Sequence, residues 1–330
     1  MRESFLGLLA CPKCQSSLSL RVLERGEGER IRDGVLTCTG CSAEFKVTGY
    51  IPRFVPQENY ADSFGLQWNT FSRTQFDLDS GIELSRDRFE KETKFGTALD
   101  GQLILEAGSG AGRFTCIACE TGATVVSFDL STAVDANYRS NGHLDNLLLL
   151  QASIYEMPFR SGVFDKIFCL GVIQHTPDPK RAFLSLLEKL RPGGRIAIDV
   201  YKKTIGVYLG LKYWLRPITT RLPKDRLFAL TKRYIDLMWP LATRLQKLPR
   251  GTMINWMLCI PDYSYTGLEP RRVKEWAYLD AYDMLGPRYD IPQTLGEIKR
   301  WFSEARMSDV EIHYGYNGIE ARGRKESLPV

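Results

Sequence analysis

The stretch Leu103-Ile104-Leu105-Glu106-Ala107-Gly108-Ser109-Gly110-Ala111-Gly112-Arg113 decides the fold of this 330-residue chain. Its apolar start predicts a short buried strand, and the pattern that follows, Phe114 to Glu120, predicts a helix. Three glycines at alternate positions predict a tight turn between them, because a residue without a Cβ lets a ligand approach the backbone. The N-terminus of the helix adds free N–H groups. The stretch therefore predicts a strand–turn–helix unit that binds a cofactor.

The spacing of the glycines separates two classes of cofactor. A dinucleotide-binding turn has the pattern G-x-G-x-x-G, which would place its third glycine where Arg113 stands. Here the third glycine comes one residue earlier, at Gly112, and Glu106 precedes the turn. The pattern Glu-x-Gly-x-Gly-x-Gly resembles motif I of the class I S-adenosylmethionine (SAM) methyltransferases.

Two later motifs extend this resemblance. Asp129 ends the next predicted strand and lies 21 residues after Gly108, close to the spacing of about 20 expected of an acid that binds ribose hydroxyls. Met157-Pro158-Phe159 resembles the Leu-Pro-Phe stretch of the family. Just before it, Ser153 stands where the family usually has an aspartate that binds the adenine amino group, and Ile154 would pack on the adenine face.

The order of the predicted elements completes the fold class. Strands and helices alternate as far as Val200, and near the end of the chain an antiparallel hairpin is predicted from Ser308 to Tyr314 and from Gly318 to Arg324. Such a terminal hairpin resembles the class I methyltransferase sheet and is absent from nicotinamide-binding Rossmann domains. The resemblance implies an α/β fold with a Rossmann-like, seven-stranded mixed sheet in the order 3-2-1-4-5-7-6.

The resemblance also implies which residues bind SAM. They belong to motif I, to the ends of the second and fourth strands and to the turn after the third strand. These residues are Glu106, Gly108, Ser109, Gly110, Gly112, Asp129, Leu130, Ser153, Ile154, Leu170 and Gly171.

Four of the eight cysteines form two Cys-x-x-Cys pairs near the N-terminus: Cys11, Cys14, Cys38 and Cys41. Four thiolates can close a tetrahedral zinc shell, and such closed sites are structural. A module this small needs a metal or another staple in order to fold. The pattern from Leu8 to Phe54 resembles the Trm112-like zinc module, which also occurs fused in front of bacterial SAM methyltransferases.

These motifs predict four segments. Residues 1–56 form the zinc-ribbon module, 57–100 form lid or linker helices, 101–200 with 291–330 form the SAM-binding domain, and 201–290 form a mostly helical substrate subdomain inserted after strand five. Within the second segment, Ser63–Asn69 and Arg73–Gln75 resemble a lid that covers the methionyl end of SAM in such fused enzymes, with Trp68, Thr74 and Gln75 as its key residues. A helix that packs on the sheet edge is the alternative.

The inserted segment carries the basic charge of the chain. It contains 16 Lys and Arg against 8 Asp and Glu, whereas the net charge of the whole chain is +5. This excess predicts a groove for an acidic partner, such as a nucleotide-linked or phosphorylated sugar, a nucleic acid or an anionic lipid interface. The alternative is a solvated face of amphipathic helices.

Methyl transfer is an in-line displacement that needs positioning, and a base when the acceptor is a hydroxyl or amine. A histidine side chain has an unperturbed pKa near 6.5, which suits that base, and His175 lies at the end of strand four. Asp280 or Asp283 could replace it. The end of the insertion resembles an Asp…Pro-Arg-Tyr element of the same enzymes, which implies that Asp280, Arg288 and Tyr289 lie near the acceptor.

The sequence thus predicts a transferase, namely a SAM-dependent methyltransferase with structural zinc. We expect this enzyme to methylate oxygen or nitrogen of a small molecule or glycan intermediate. One alternative is an rRNA or tRNA base methyltransferase, although Leu170–His175 lacks the prolines of a base-methylating Asn-Pro-Pro-Tyr tetrad. Another is a non-catalytic SAM-binding regulatory subunit, which the departures at Ser109, Ser153 and Gln174 leave open.

The composition is that of a globular protein, with 44% hydrophobic and 25% charged residues. The apolar stretch from Phe5 to Ala10 is too short for a signal peptide or a membrane span, and no later run is long enough to span a bilayer. We therefore expect a cytoplasmic protein.

Overall fold

The structure is a computed structural model of the chain, and it describes residues 1–56 and 58–326. Gln57, the predicted start of the lid segment, and residues 327–330, the predicted end of the SAM-binding domain, lie outside the described residues.

The N-terminal module is an antiparallel meander of four strands: β1 (Leu18–Arg25), β2 (Ile31–Cys38), β3 (Glu44–Thr48) and β4 (Ile51–Arg53). Alternate side chains near the end of β2 are buried, among them Leu36 and Cys38. This period of two is the pattern of a strand with one buried face. The module therefore has a small apolar core next to its cysteines.

Three helices connect the module to the next strand: α1 (Asp62–Thr70), α2 (Asp77–Ser80) and α3 (Leu84–Thr93). The carboxylate of Asp77 accepts hydrogen bonds of 2.8 Å from the backbone N–H groups of Ser85 and Arg86. These N–H groups lie in the first turn of α3, where a helix has no backbone acceptors for them. The side chain of Asp77 thus sets the start of α3.

The alternating part of the chain contains β5 (Leu103–Ala107), α4 (Arg113–Glu120), β6 (Thr124–Asp129), α5 (Ala133–Asn141), β7 (Leu147–Gln151), β8 (Phe164–Leu170), α6 (Pro179–Lys189) and β9 (Leu190–Val200). Its parallel strands are buried on both faces, which explains continuous apolar runs such as 147–150. Asp178 caps α6 by accepting a 3.0 Å hydrogen bond from the Arg181 N–H, and Pro179 occupies the first turn.

The insertion is helical, as predicted. It contains α7 (Ile205–Tyr208), α8 (Leu211–Thr219), α9 (Lys224–Leu245), α10 (Gly251–Met257) and α11 (Pro270–Leu285). Its core lies between α9 and α11, where Ile235, Ala277 and Ala281 are fully buried. In the part of the chain that the structure describes, no helix combines the length and the apolar character needed to cross a bilayer.

The chain returns to the sheet through α12 (Leu295–Glu304), β10 (Met307–Tyr314) and β11 (Ile319–Lys325). α12 begins with a capping box, in which Thr294 and Glu297 each bind the backbone N–H of the other. β10 and β11 form the predicted hairpin, and β11 pairs antiparallel with β9.

The sheet has eleven strands in the order β1-β2-β3-β4-β7-β6-β5-β8-β9-β11-β10, so the prediction of a seven-stranded sheet was wrong. The N-terminal module adds its four strands to the edge of the sheet, because β4 pairs with β7 through Arg53 and Gln151. This contact covers an edge that would otherwise present unpaired backbone groups. Within the larger sheet, β5 to β11 have the predicted relative order.

Arg53 anchors the module at this junction. Its guanidinium donates to the Gln151 side-chain oxygen at 2.9 Å and to the Asp135 carboxylate at 2.5 Å, and its side chain is only 13% exposed. One side chain thus connects β4 to both β7 and α5.

We expect Arg53→Ala to reduce the free energy of unfolding by about 1–3 kcal/mol, because it leaves partly buried acceptors without a donor. Arg32→Ala is the matched control, since Arg32 and its partner Glu24 are 52% and 50% exposed and an exposed pair contributes about 0–1 kcal/mol. Urea unfolding of both variants measures the difference. Equal losses would contradict the anchoring role of Arg53.

Candidate cofactor and acceptor site

A cavity of about 700 Å³ lies at the carboxyl ends of β5, β6 and β8. In open α/β sheets this edge is where ligands bind. The glycine turn after β5 lines it, and the lid segment, the insertion and the loop 315–318 contribute the other walls. Four separate parts of the chain therefore enclose one space.

The glycine turn is fixed by its backbone. Gly108, Gly110 and Gly112 have φ angles of +79°, +52° and +91°, a region that favours glycine. The carbonyl of Phe128 accepts hydrogen bonds from the N–H groups of Gly108 and Ser109, at 2.8 and 3.0 Å. A Cβ on Gly108 would overlap the side chain of Val172. The turn thus needs glycine because the chain after β8 packs directly against it.

Asp129 connects the end of β6 to this turn. Its Oδ2 accepts a 2.9 Å hydrogen bond from the Gly110 N–H, and its Oδ1 accepts from the N–H and the hydroxyl of Ser131, at 2.8 and 2.7 Å. Burial raises the pKa of Asp129, and its side chain lines the cavity. A carboxylate oxygen has two lone pairs, so Oδ2 retains one acceptor position.

Glu106 does not line the cavity, although it was predicted to bind the cofactor. Its carboxylate accepts hydrogen bonds from the hydroxyls of Thr115, at 2.5 Å, and Ser127, at 2.7 Å. Burial raises the pKa of Glu106 to about 7. The acid lies behind the turn, where it ties β5 to α4 and β6.

This network continues to the third glycine. Asn137 donates to Thr115 at 2.8 Å, and Asn141 donates to the carbonyls of Asn137 and Gly112, at 2.8 and 2.9 Å. Gly112 also lies outside the cavity lining, and a Cβ there would overlap Asn137. Gly112 is thus a packing position rather than a contact with the cavity.

The predicted adenine side is only partly brought together. Leu130, Ile154, Leu170 and Gly171 line the cavity, as does Ala152. In contrast, the side chain of Ser153 is outside the lining, and its Oγ accepts a 3.2 Å hydrogen bond from the Tyr155 N–H. The serine closes its own turn instead of facing the cavity.

The lid segment covers the glycine turn. The indole of Trp68 lies 3.1 Å from where a Cβ on Gly110 would be. Gln67 and Gln75 line the cavity, and the side-chain oxygen of each is buried without a hydrogen-bond partner among the described residues. Thr74 faces away, because its hydroxyl donates to Glu275 and its carbonyl accepts from the Trp276 indole.

His175 is buried and lines the cavity on the side of the lid. Its Nδ1 is 3.0 Å from the carbonyl oxygen of Tyr289. A carbonyl only accepts, so Nδ1 carries the proton and Nε2 keeps a free lone pair. The rings of Phe64 and Tyr201 pack edge-on against the imidazole, with centroids 5.1 and 5.3 Å away.

Two acids of α11 face the same cavity. The Asp283 carboxylate accepts from the hydroxyl of Tyr201 at 3.0 Å, and the Asp280 carboxylate accepts from the hydroxyl of Tyr263. Burial raises the pKa of Asp280 to about 7, and the charge of Asp283 acts in the same direction. Asp280 can therefore accept or release a proton near neutral pH.

The structure does not show the contacts with the acceptor site that the sequence predicted for the side chains of Arg288 and Tyr289. Arg288 is exposed and does not line the cavity, because α11 has ended and the chain turns outward there. Tyr289 acts through its backbone carbonyl, which orients His175, and its ring packs edge-on against Tyr60 at 5.3 Å.

The four predicted zinc ligands lie together, with all their sulfur atoms within 4.8 Å of one another. The Sγ pairs Cys11–Cys41 and Cys14–Cys38 are 3.7 and 3.3 Å apart. A tetrahedron with Zn–S bonds of about 2.3 Å has edges of about 3.8 Å. The N–H groups of Cys41 and Gly40 point at the Cys38 sulfur and lower its pKa, which favours the thiolate.

Residues 105–198, which include the glycine turn and Asp129, match the family model of the methyltransferase domain. The chain carries a SAM-dependent methyltransferase domain. A ubiquinone biosynthesis O-methyltransferase of Schizosaccharomyces pombe is 25% identical over 150 residues, which is 42% of this chain and 54% of the relative. A phosphoethanolamine N-methyltransferase of Caenorhabditis elegans is 30% identical over 119 residues, which is 34% of this chain and 27% of the relative.

The chain spans only 27% and 54% of the length of these two relatives. Among solved structures, a SAM-dependent methyltransferase from Aquifex aeolicus has a TM-score of 0.40 and 12% identity, over 81% of this chain and 97% of that one.

Sequence reasoning missed two arginines of the methyltransferase site. Arg88 on α3 is buried, pairs with Glu92 and Asp199, and lines the cavity, while Asp199 also accepts from the Gly171 N–H. The sequence feature that could have indicated Arg88 is its partner Asp199, an acid within the apolar end of β9. Arg113 lines the cavity with its guanidinium over the Phe114 ring, and within residues 1–56 and 58–326 this guanidinium makes no hydrogen bond or ion pair.

The buried acid behind the turn predicts a pH effect. The raised pKa means that the folded protein holds a proton on Glu106 up to about pH 7, whereas the unfolded chain releases it near pH 4.5. The contribution of this group to stability is therefore complete below pH 4.5 and is lost as the pH rises through 7.

We expect Glu106→Gln to gain stability relative to wild type between pH 5 and pH 8, by at most about 3 kcal/mol, because the amide cannot ionise. Urea unfolding at both pH values measures the gain. Glu120→Gln, which changes a 56% exposed acid at the end of α4, should show no such pH dependence. If the difference in stability between Glu106→Gln and wild type did not change with pH, the raised pKa of Glu106 would be refuted.

Proposed function

We propose that the chain is a SAM-dependent methyltransferase that acts on oxygen or nitrogen of a small molecule or glycan intermediate. One observation carries this proposal: the glycine turn and Asp129 form one end of a cavity that also contains His175, Asp280 and Asp283. A cofactor subsite and proton acceptors thus share a single enclosed space.

The residues present fit SAM. The free lone pair of Asp129 Oδ2 suits a ribose hydroxyl, the backbone of 108–111 lines the same cavity beside Trp68, and Ala152 and Ile154 form an apolar slot for a base. The Gln67 and Gln75 oxygens need donors, because an unpaired buried polar atom costs about 1–3 kcal/mol. The ammonium of a methionyl group would supply such donors. When bound, SAM supplies an electrophilic methyl group on its sulfonium.

We propose Glu106 and Gly112 as positioning residues rather than cofactor contacts. The other predicted positions, Gly108, Ser109, Gly110, Leu130, Leu170 and Gly171, remain in the proposed SAM subsite. Ser153 stays outside it in this conformation. An adenine amino group would therefore meet backbone acceptors of the same loop.

The acceptor end contains the base. His175 offers Nε2 to a hydroxyl or amine, and the Tyr289 carbonyl holds the ring in that tautomer. Lys212 beside Asp290 lowers the pKa of that carboxyl although burial opposes it. The Asp290 carboxylate therefore stays ionised. Asp280 is the second candidate for the base, and Arg288 has no part in this proposal because it is exposed.

The names of the relatives support both kinds of acceptor atom. Those described above are an O-methyltransferase and an N-methyltransferase. A base that removes a proton serves either chemistry. The RNA alternative has less support, because the acceptor end of the cavity carries two acids, Asp280 and Asp283, which would repel phosphates.

We propose that the four segments predicted from the sequence have separate roles. Residues 1–56 hold structural zinc through Cys11, Cys14, Cys38 and Cys41, 57–100 form the lid, 101–200 with 291–330 bind SAM, and 201–290 select the acceptor. We further propose that the protein acts in the cytoplasm.

The first test is calorimetric titration of the full chain with SAM and with its demethylated product. We expect Asp129→Ala to weaken both at least about tenfold, because a hydrogen bond to a charged group contributes about 1.5–3 kcal/mol. Asp87→Ala, which changes an exposed acid on α3, serves as the control. If wild type binds neither compound, the proposed function fails.

The zinc proposal predicts one zinc ion per chain by native mass spectrometry, and loss of it in Cys38→Ser. Cys116→Ser should keep the metal, since Cys116 lies on α4 and its thiol donates to the Arg113 carbonyl. We also expect a chelator to lower the melting temperature of wild type, because metal binding is coupled to the folding of such modules. Purified chain without metal and with full stability would contradict the proposal.

A further inference from the structure

Exposed apolar side chains are concentrated on the insertion. Among the described residues, eighteen large apolar side chains are exposed, and twelve of them lie between Tyr208 and Tyr265. Single exposed apolar residues are ordinary, but a contiguous set on one subdomain marks a binding surface. Because the segment is about a quarter of the chain, this density needs a physical reason.

Two members of this set also line the cavity. On α10, Met253 and Met257 are exposed and belong to the cavity lining. On α8, Trp214 and Ile218 are 72% and 64% exposed and lie one helical turn apart, on the same face. We call the exposed side chains of Tyr208, Leu209, Trp214, Ile218, Met253 and Met257 the mouth surface. Through the two methionines, this surface reaches the interior of the site.

The first part of the insertion is strongly basic. Between residues 201 and 250, ten Lys and Arg side chains are exposed against two acids, Asp225 and Asp236. Lys202 and Lys203 precede α7, and Arg250 precedes α10. Surface cations of this number attract an anionic surface at roughly 1 kcal/mol for each residue that reaches it.

The same combination occurs along α9. Leu230, Leu237 and Leu241 are exposed at a spacing that keeps them on one helical face. Arg226, Arg233 and Arg244 are exposed and lie along one edge of this leucine face. α9 therefore presents leucines that can enter an interface beside arginines that can reach anionic headgroups.

We propose that the insertion binds the surface of a membrane that contains anionic phospholipids, and that the mouth surface lies against it. In this arrangement the helices lie in the interface without crossing the bilayer, with Trp214 at the level of the headgroups. A second copy of the chain would bring ten further exposed cations of the same sign, which opposes self-association. Four of the six side chains of the mouth surface, Leu209, Ile218, Met253 and Met257, are not aromatic and offer no stacking surface for nucleic acid bases.

The consequence for the substrate rests on the proposed function. A cavity that opens on a membrane-bound face takes its acceptor from the bilayer, so the acceptor is an amphiphile. Its apolar part would pass Met253 and Met257, whose flexible side chains adapt to irregular shapes. Its hydroxyl or amine would reach His175 and Asp280.

The test is flotation of the full chain with vesicles of phosphatidylcholine alone or with 30% phosphatidylglycerol. We expect binding to the anionic vesicles only, and release at 0.5 M salt because the cations are screened. The double variant Trp214→Ser with Ile218→Ser should bind at least tenfold more weakly, since each side chain contributes about 1.5–3 kcal/mol when buried. Leu78→Ser, at a site 94% exposed on α2, should bind like wild type.

A second pair of variants tests the charge. Arg221→Glu with Lys247→Glu reverses two exposed cations of the insertion, and Lys299→Glu with Arg300→Glu reverses two on α12. We expect the first pair to lose vesicle binding and the second to retain it. Quenching of tryptophan fluorescence by brominated lipid should occur in wild type and be lost in Trp214→Phe.

Three outcomes would overturn the proposal: no flotation with anionic vesicles, flotation unaffected by both insertion variants, or a concentration-dependent dimer that buries Trp214. Calorimetry with SAM separates this result from the proposed function. Vesicle binding without SAM binding would support the membrane proposal and contradict the proposed function. SAM binding without vesicle binding would support the proposed function and contradict the membrane proposal.

Discussion

The hydrogen bond from the Gly110 N–H to Asp129 is the interaction on which the site depends. It joins the turn after β5 to the end of β6, so that the backbone at 108–111 and the carboxylate face the same cavity. Behind it, Glu106 holds α4 through Thr115. Each of these groups is buried, and an unpaired buried polar group costs about 1–3 kcal/mol. The turn therefore has one stable arrangement.

Local pattern was sufficient for most of the fold. The glycine spacing, the acid after β6 and the terminal hairpin all report on elements formed by neighbouring residues, and the structure has these elements in the expected relative order. The strand count was wrong because edge pairing is a tertiary event. Only one residue pair, Arg53 with Gln151, registers β4 on β7, and no periodicity in either segment indicates that contact.

The candidate site was less predictable, because a motif gives position in the chain but not the direction of a side chain. Glu106 faces the helices behind the sheet, and Ser153 closes its own turn. Arg88 was missed because a single arginine on a polar helix carries no signal until Asp199 is known to lie opposite. Tyr289 contacts His175 through its backbone carbonyl, which no sequence pattern can indicate.

The lid and the insertion are joined to each other, which limits how a ligand reaches the cavity. Lys224 of α9 pairs with Asp62 of α1, and the indole of Trp276 on α11 donates to the Thr74 carbonyl at 2.8 Å. Opening the site between these two segments would break both contacts and expose the buried Trp276. Gly206 of α7 and Met253 of α10 also line the cavity, and neither of these two contacts involves them. We infer that the acceptor passes Met253 on its way into the cavity, because this side chain is exposed and apolar and the first part of the insertion is positively charged.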